Sequence, residues 1–95
     1  MKSGSYFINV GRGELVDETS LIAMLQSGHL AGAALDVFEV EPLPTDSALW
    51  TMPNVILTPH SSANTPGSHH RAALLFVENV RRRAHGEPLL NVVEP

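Results

Sequence analysis

The sequence predicts an α/β fold: three parallel strands with one crossover helix, followed by a long terminal helix. Three short apolar runs at residues 6–10, 32–38 and 55–58 read as strands, because they are rich in β-branched, aromatic or small residues and are bounded by Gly or Pro. A helical period lies between the first two runs, and a longer one follows the third. Strand, helix, strand in that order makes one right-handed βαβ unit.

The first run, Tyr6-Phe7-Ile8-Asn9-Val10, has glycines on both sides and reads as a buried strand, after which Gly11-Arg12-Gly13 turns the chain. Asp17 can accept backbone N–H bonds as the N-cap of a helix over roughly residues 18–27, in which Leu21, Ile22 and Leu25 repeat at i, i+1 and i+4. Gly28 stands where that helix should stop. Residues 32–38 are small and apolar with little alternation, as expected of a parallel strand covered on both faces.

Residues 39–54 carry Pro42, Pro44 and Pro53 and no convincing period, so they read as an ordered loop with one helical turn at 46–50. Val55-Ile56-Leu57-Thr58 is the third strand; Pro59 ends it and leaves His60 at its carboxyl end, the edge where open α/β sheets bind ligands. In the last helix Thr65 is the expected N-cap and Pro66 lies in the first turn. Ala73, Phe76, Val80 and Ala84 share one face, and Gly86 is the expected stop. Residues 89–95 form a short tail whose apolar side chains suit docking onto a partner surface.

At 95 residues the chain fits one folding unit or a piece of one. A net charge of −4 argues against a general attraction for nucleic acid or an anionic membrane. The absence of cysteine excludes disulfides and thiolate chemistry. No apolar stretch approaches the roughly 20 residues of a membrane span, and no basic-then-apolar signal opens the chain, so a cytoplasmic location is the default expectation.

Chemistry concentrates in three places. An Arg to hold a carboxylate, a Glu to polarise a His and a His to exchange a proton are what reversible oxidation of a 2-hydroxy acid requires, and Arg12, either Glu39 or Glu41, and His60 offer those groups near strand ends. Each alone has a blander explanation: a solvated loop Arg, a polar turn residue before Pro42, a surface His after Pro59. His69-His70 suggests a metal site only weakly, since adjacent helical side chains point about 100° apart and no carboxylate sits one turn away. Arg81-Arg82-Arg83 reads as cations complementing a helix C-terminus rather than a phosphate site. Trp50 either borders a pocket or plugs the loop against the core.

The order Asn9-Val10-Gly11-Arg12-Gly13-Glu14-Leu15-Val16-Asp17, then Gly32-Ala33-Ala34-Leu35-Asp36-Val37-Phe38-Glu39-Val40-Glu41-Pro42, then Asn54-Val55-Ile56-Leu57-Thr58-Pro59-His60, resembles the D-isomer-specific 2-hydroxyacid dehydrogenases. The match extends through the closing helix to Gly86-Glu87-Pro88-Leu89-Leu90-Asn91-Val92-Val93. The resemblance implies the C-terminal portion of such an enzyme. Residues 1–62 would be the C-terminal half of a Rossmann-like NAD(P)-binding domain, and residues 63–95 the terminal helix and tail that in the family return to the substrate domain.

By the same resemblance the family's catalytic Arg falls on Arg12, whose guanidinium can take a substrate carboxylate in a forked pair of hydrogen bonds. The acid falls on Glu41 and the general acid/base on His60; a carboxylate beside an imidazole favours the protonated ring, which can then give a proton to a ketone oxygen. Glu39 is nearer Asp36 than Glu41 is, but register with the family selects Glu41. Asp36 falls where the family binds the nicotinamide carboxamide, and backbone groups at Val10, Gly11 and His60 would line the nicotinamide. The implied cofactor is NAD or NADP and the implied substrate a small 2-oxo or 2-hydroxy acid, with a lean towards glyoxylate and hydroxypyruvate reductases.

The chain holds no Gly-x-Gly-x-x-Gly turn for a pyrophosphate and no downstream residue to separate NAD from NADP, so alone it is expected to show little or no dehydrogenase activity. A homodimer or other self-association through the exposed edge of the first strand is expected. The alternative function is a non-enzymatic NAD(H)-sensing module of the corepressor type, which shares the fold and a similar Arg, Glu and His; a long extension after the last helix would mark that class.

Overall fold

Short β-branched, aromatic and small-residue runs pair into one parallel sheet whose strands are β1 (Ser5–Asn9), β2 (Leu30–Leu35) and β3 (Val55–Leu57), in that spatial order. The structure is a computed structural model and describes residues 1–94; Pro95, the end of the expected tail, lies outside them. The register sets Phe7, Ala33 and Val55 side by side, then Ile8, Ala34 and Ile56, then Asn9, Leu35 and Leu57.

Alternate rows face opposite sides of a sheet. On one side Phe7, Ala33, Leu35, Val55 and Leu57 join Leu21 and Leu25 of the helix α1 (Glu18–Gln26) in a core completed by Leu30, Phe38, Leu43 and Leu49. Each leucine so buried contributes about 1.5–3 kcal/mol relative to an exposed one. On the other side Tyr6, Ile8 and Ile56 are exposed. The expectation that the central strand is covered on both faces therefore holds for one face only, because α1 packs on the Phe7–Ala33–Val55 side.

The α1 helix starts as its sequence requires: Asp17 Oδ1 accepts the Ser20 N–H at 2.8 Å. It stops at Gly28, which adopts φ +73° and donates its N–H to Leu25. The second strand begins two residues earlier and ends three residues sooner than the apolar run at 32–38. Asp36 N–H still bonds Asn9 O, but Val37 and Phe38 leave the ladder and remain buried. A short 3-10 turn at Gly13–Leu15 follows β1, and another at Ala48–Thr51 stands where one helical turn is expected.

The chain divides into two compact units, Met1–Ser62 and Ala63–Pro95. The second contains α2 (Ser68–Ala84), which starts later than Thr65 and Pro66 suggest. Gly67 stands at its N-cap with φ +82°, a left-handed turn that redirects the chain between Pro66 and the first helical residue. Gly86 ends α2 with φ +68°, and the Glu87 N–H reaches back to Arg82 O at 2.9 Å. Arg81 and Arg82 pair with Glu78 and Glu87, and Arg81 then Arg82 pull the Glu78 carboxyl down to about 2. The tail is clamped by Asn79, which donates to Leu90 O and accepts from Leu90 N–H. Among the described residues, no helix is long and apolar enough to cross a membrane.

Candidate active site

Three loops leave the carboxyl ends of three adjacent parallel strands, and the candidate residues lie on them. The first is built by Asn9, a buried polar residue at the end of β1. Its Nδ2 donates to Arg12 O at 2.9 Å and its Oδ1 accepts from Gly11 N–H at 3.1 Å, so one amide templates the turn. Val10 and Arg12 are carried outward on that turn; the Arg12 guanidinium donates through Nη1 to Gly11 O at 2.7 Å. Gly13 packs against the backbone of Phe38 and Glu39, where any Cβ would collide with the Phe38 carbonyl. That contact ties the first loop to the second.

The second loop holds Glu41 by both oxygens. Its Oε1 accepts the Phe38 N–H at 3.0 Å, and its Oε2 lies 2.7 Å from His60 Nδ1. The hydrogen bond with His60 first, and the Phe38 N–H second, hold the Glu41 carboxyl below its ordinary value. The backbone N–H of Glu39 donates to Glu18 Oε2 at 3.2 Å. The Glu41–Pro42 peptide bond is cis.

The third loop carries His60 in the left-handed region at φ +49°, uncommon for a residue with a Cβ. Thr58 N–H bonds Leu35 O at 3.0 Å, and His60 N–H bonds Thr58 O at 3.1 Å. Beneath the loop lies Asp36, only 2 % exposed. Its Oδ1 accepts from Thr58 Oγ1 at 2.5 Å and Ser61 N–H at 2.9 Å, and its Oδ2 from Ser62 N–H at 2.8 Å. The Thr58 hydroxyl above all, with the Ser61 amide next, holds the Asp36 carboxyl well below the usual carboxylate range against the opposing effect of burial.

An open cleft of about 580 Å³ borders the pair, walled by Phe38, Pro42, Leu43, Trp50, Pro59 and the Glu41–His60 contact itself. Trp50 is 55 % exposed on that wall, with its indole N–H bonded to Pro44 O, while its neighbour Leu49, 1 % exposed, plugs the core. Of the two sequence-based expectations for Trp50, the pocket border is the one observed.

The fold thus brings Glu41 and His60 into contact and fastens Asp36 to the His60 loop. Arg12, Val10 and Gly11 stand at the end of the neighbouring strand; Arg12 bonds neither Glu41 nor His60. Asn9, Gly13, Thr58, Ser61 and Ser62 were not singled out from the sequence. An Asn ending a strand two residues before a Gly is a readable turn signal, but Ser61 and Ser62 act chiefly through backbone N–H groups that every residue but proline owns. No group of three metal-ligating side chains occurs among the described residues, and His69-His70 gathers none.

Residues 1–62 match the sequence model of the D-isomer specific 2-hydroxyacid dehydrogenase, NAD binding domain. The whole chain is 48 % identical to glyoxylate/hydroxypyruvate reductase B of Citrobacter koseri and 46 % to that of Escherichia fergusonii, spanning 29 % of the length of each. Among solved structures, a D-isomer specific 2-hydroxyacid dehydrogenase of Xanthobacter autotrophicus Py2 in complex with NADPH and MES is 55 % identical, with a TM-score of 0.90 over all of this chain and 38 % of that one. An NADPH-dependent glyoxylate/hydroxypyruvate reductase of Sinorhizobium meliloti in complex with NADP and sulfate is 40 % identical, with a TM-score of 0.83 over 94 % of this chain and 28 % of that one. Taken with the strand order and the loops above, these matches show that the chain belongs to the D-isomer specific 2-hydroxyacid dehydrogenase family and carries part of its NAD binding domain.

Proposed function

We propose that the chain supplies the acid–base and nicotinamide-side part of an NAD(P)-dependent oxidoreductase that interconverts a small D-2-hydroxy acid and its 2-oxo acid. The observation that carries this reading is the 2.7 Å contact of Glu41 Oε2 with His60 Nδ1 at the carboxyl edge of a parallel sheet. A non-enzymatic NAD(H)-sensing role has no comparable support, since the relatives described above are reductases and dehydrogenases.

A dinucleotide needs an anion cradle for its pyrophosphate and a mixed apolar and hydrogen-bonding floor for its nicotinamide. The residues present fit the second. Val10 is exposed beside Gly11, and the Asp36 carboxylate, an acceptor at the carboxyl end of β2, suits a carboxamide N–H. A Gly-x-Gly-x-x-Gly cradle is not among these 95 residues, nor is a residue to distinguish NAD from NADP. When bound, the nicotinamide supplies or takes up a hydride at the substrate's second carbon.

The chain's own residues do the rest. Arg12 has donors beyond the one used on Gly11 O, and its planar fork suits the substrate carboxylate. With Nδ1 turned to Glu41, His60 presents Nε2 to the substrate oxygen, gives it a proton during reduction and takes one back during oxidation. Glu41 fixes the ring orientation. Trp50 and Pro42 limit water on one side of the cleft. Residues 63–95 would carry the chain back towards a substrate domain. The free edge of β1 supports self-association of the isolated chain, which light scattering would register as a mass that rises with concentration.

The test is a graft: these 95 residues replace the matching segment of the Citrobacter koseri reductase. Reduction of glyoxylate or hydroxypyruvate within about tenfold of the parent's rate is expected. A folded graft that binds the nicotinamide cofactor and turns over neither acid would overturn the proposal.

A further inference from the structure

Among the described residues, Asp36 is the side chain that bonds the third loop on both sides of His60. It directly follows β2, its own N–H is bonded to Asn9 O at the end of β1, and its carboxylate gathers Thr58, Ser61 and Ser62 from beyond β3. The two oxygens bracket His60 in sequence, gripping the chain two residues before it and one and two residues after it. Between those anchor points His60 adopts a left-handed backbone that is unfavourable for a residue with a Cβ, so the conformation persists only where its neighbours impose it.

We propose that Asp36 is a positioning residue for the acid–base pair: by fastening Thr58, Ser61 and Ser62 it imposes the left-handed turn at His60 and so delivers Nδ1 onto Glu41. This rests on the functional reading above, but it assigns Asp36 a task other than contact with a cofactor. An ionised carboxylate is required because all three partners are donors. Asparagine has the same size, yet its NH2 group must oppose either the Ser62 N–H or the Ser61 N–H, neither of which can accept. The depressed Asp36 carboxyl agrees with a charge held by those donors. Thr58→Val removes a single bond and leaves the carboxylate.

The experiment is nuclear magnetic resonance of the 95-residue chain and of its Asp36→Asn, Thr58→Val and Glu41→Gln forms. Two signals are followed: hydrogen exchange of the Ser61 and Ser62 amides, and the His60 Nδ1 resonance whose position depends on Glu41. Asp36→Asn is expected to speed exchange at Ser62 by about tenfold, the worth of one hydrogen bond. It should also move the Nδ1 resonance towards its position in Glu41→Gln, with Thr58→Val shifting it the same way by less, while strand amides stay dispersed.

A merely structural Asp36 would lower the unfolding midpoint and leave the Nδ1 resonance of the folded chain where it was, and that result overturns the proposal. Unchanged Ser61 and Ser62 exchange in Asp36→Asn overturns it as well. If Asp36→Asn does not fold, Thr58→Val decides by the same Nδ1 criterion. A wild-type chain with no Glu41-dependent Nδ1 signal would sink the acid–base reading and this inference together, whereas a signal that survives both loop variants sinks the inference alone.

Discussion

Glu41 Oε2 and His60 Nδ1 lie 2.7 Å apart although 19 residues separate them, because β2 and β3 are parallel neighbours that end side by side. The same carboxylate accepts the Phe38 N–H, so its charge is fixed in the fold rather than borrowed from a mobile side chain. Glu41 is held below its ordinary value of 4.5 by the His60 contact first and the Phe38 amide second. A carboxyl depressed in the folded state contributes stability that is fully present above the unfolded value and is lost as pH falls through the folded one. The difference in urea midpoint between the wild-type chain and Glu41→Gln should therefore be fully developed above about pH 4.5 and shrink in more acid solution. A difference that grows as the pH falls below about 4.5 would mean that the contact does not favour the charged carboxylate.

Gly13→Ala should destabilise the chain by about 1–3 kcal/mol, the usual cost of forcing atoms into a filled space. The added methyl meets the Phe38 carbonyl and the Glu39 amide, which are backbone and cannot swing away. Chemical denaturation measures the loss, and amide shifts at Phe38 and Glu39 show whether the first loop pushes on the second. A substitution within about 0.5 kcal/mol of neutral, the range of ordinary surface changes, would show that the two loops are not packed as described.

Leu49 and Trp50 are adjacent but should respond oppositely. Leu49→Ala opens a cavity in the core and should cost about 2–5 kcal/mol. Trp50→Ala removes a half-exposed cleft wall and one indole bond to Pro44 O, so its effect on the unfolding midpoint should be clearly smaller. Thermal and urea unfolding of the two variants decide the matter, and comparable losses would place Trp50 in the core instead.

The three strands, the Asp17 cap and the Gly28 and Gly86 stops were legible because local chemistry specifies them: β-branched, aromatic or small apolar runs, a carboxylate before a helical period, and glycines at left-handed positions. The start of α2 was misread because Thr65 and Pro66 give a strong local signal, while Gly67 redirects the chain only afterwards. Arg12, Glu41 and His60 could be proposed from motif order, but the contact between Glu41 and His60 depends on the pairing of β2 with β3, a long-range fact. Asp36 hid its loop-fastening geometry for the same reason. Its partners are a hydroxyl and two backbone amides more than 20 residues downstream, and backbone donors leave no trace in residue identity.

Titration of NADH and NADPH into the 95-residue chain, followed by Trp50 fluorescence and calorimetry, should give millimolar or undetectable binding. The nicotinamide floor alone offers few contacts, and no pyrophosphate cradle is among these residues. Micromolar binding would mean that the chain, as a monomer or self-associated, builds a cofactor site without that turn.

The most direct measurement is kcat of the graft into the Citrobacter koseri reductase, with and without His60→Ala, together with the cofactor dissociation constant. If His60 moves the proton, kcat for glyoxylate or hydroxypyruvate should fall by about 100- to 10,000-fold while cofactor affinity stays within about threefold. A His60→Ala graft that keeps most of its kcat would contradict the assignment of His60 as the acid–base residue.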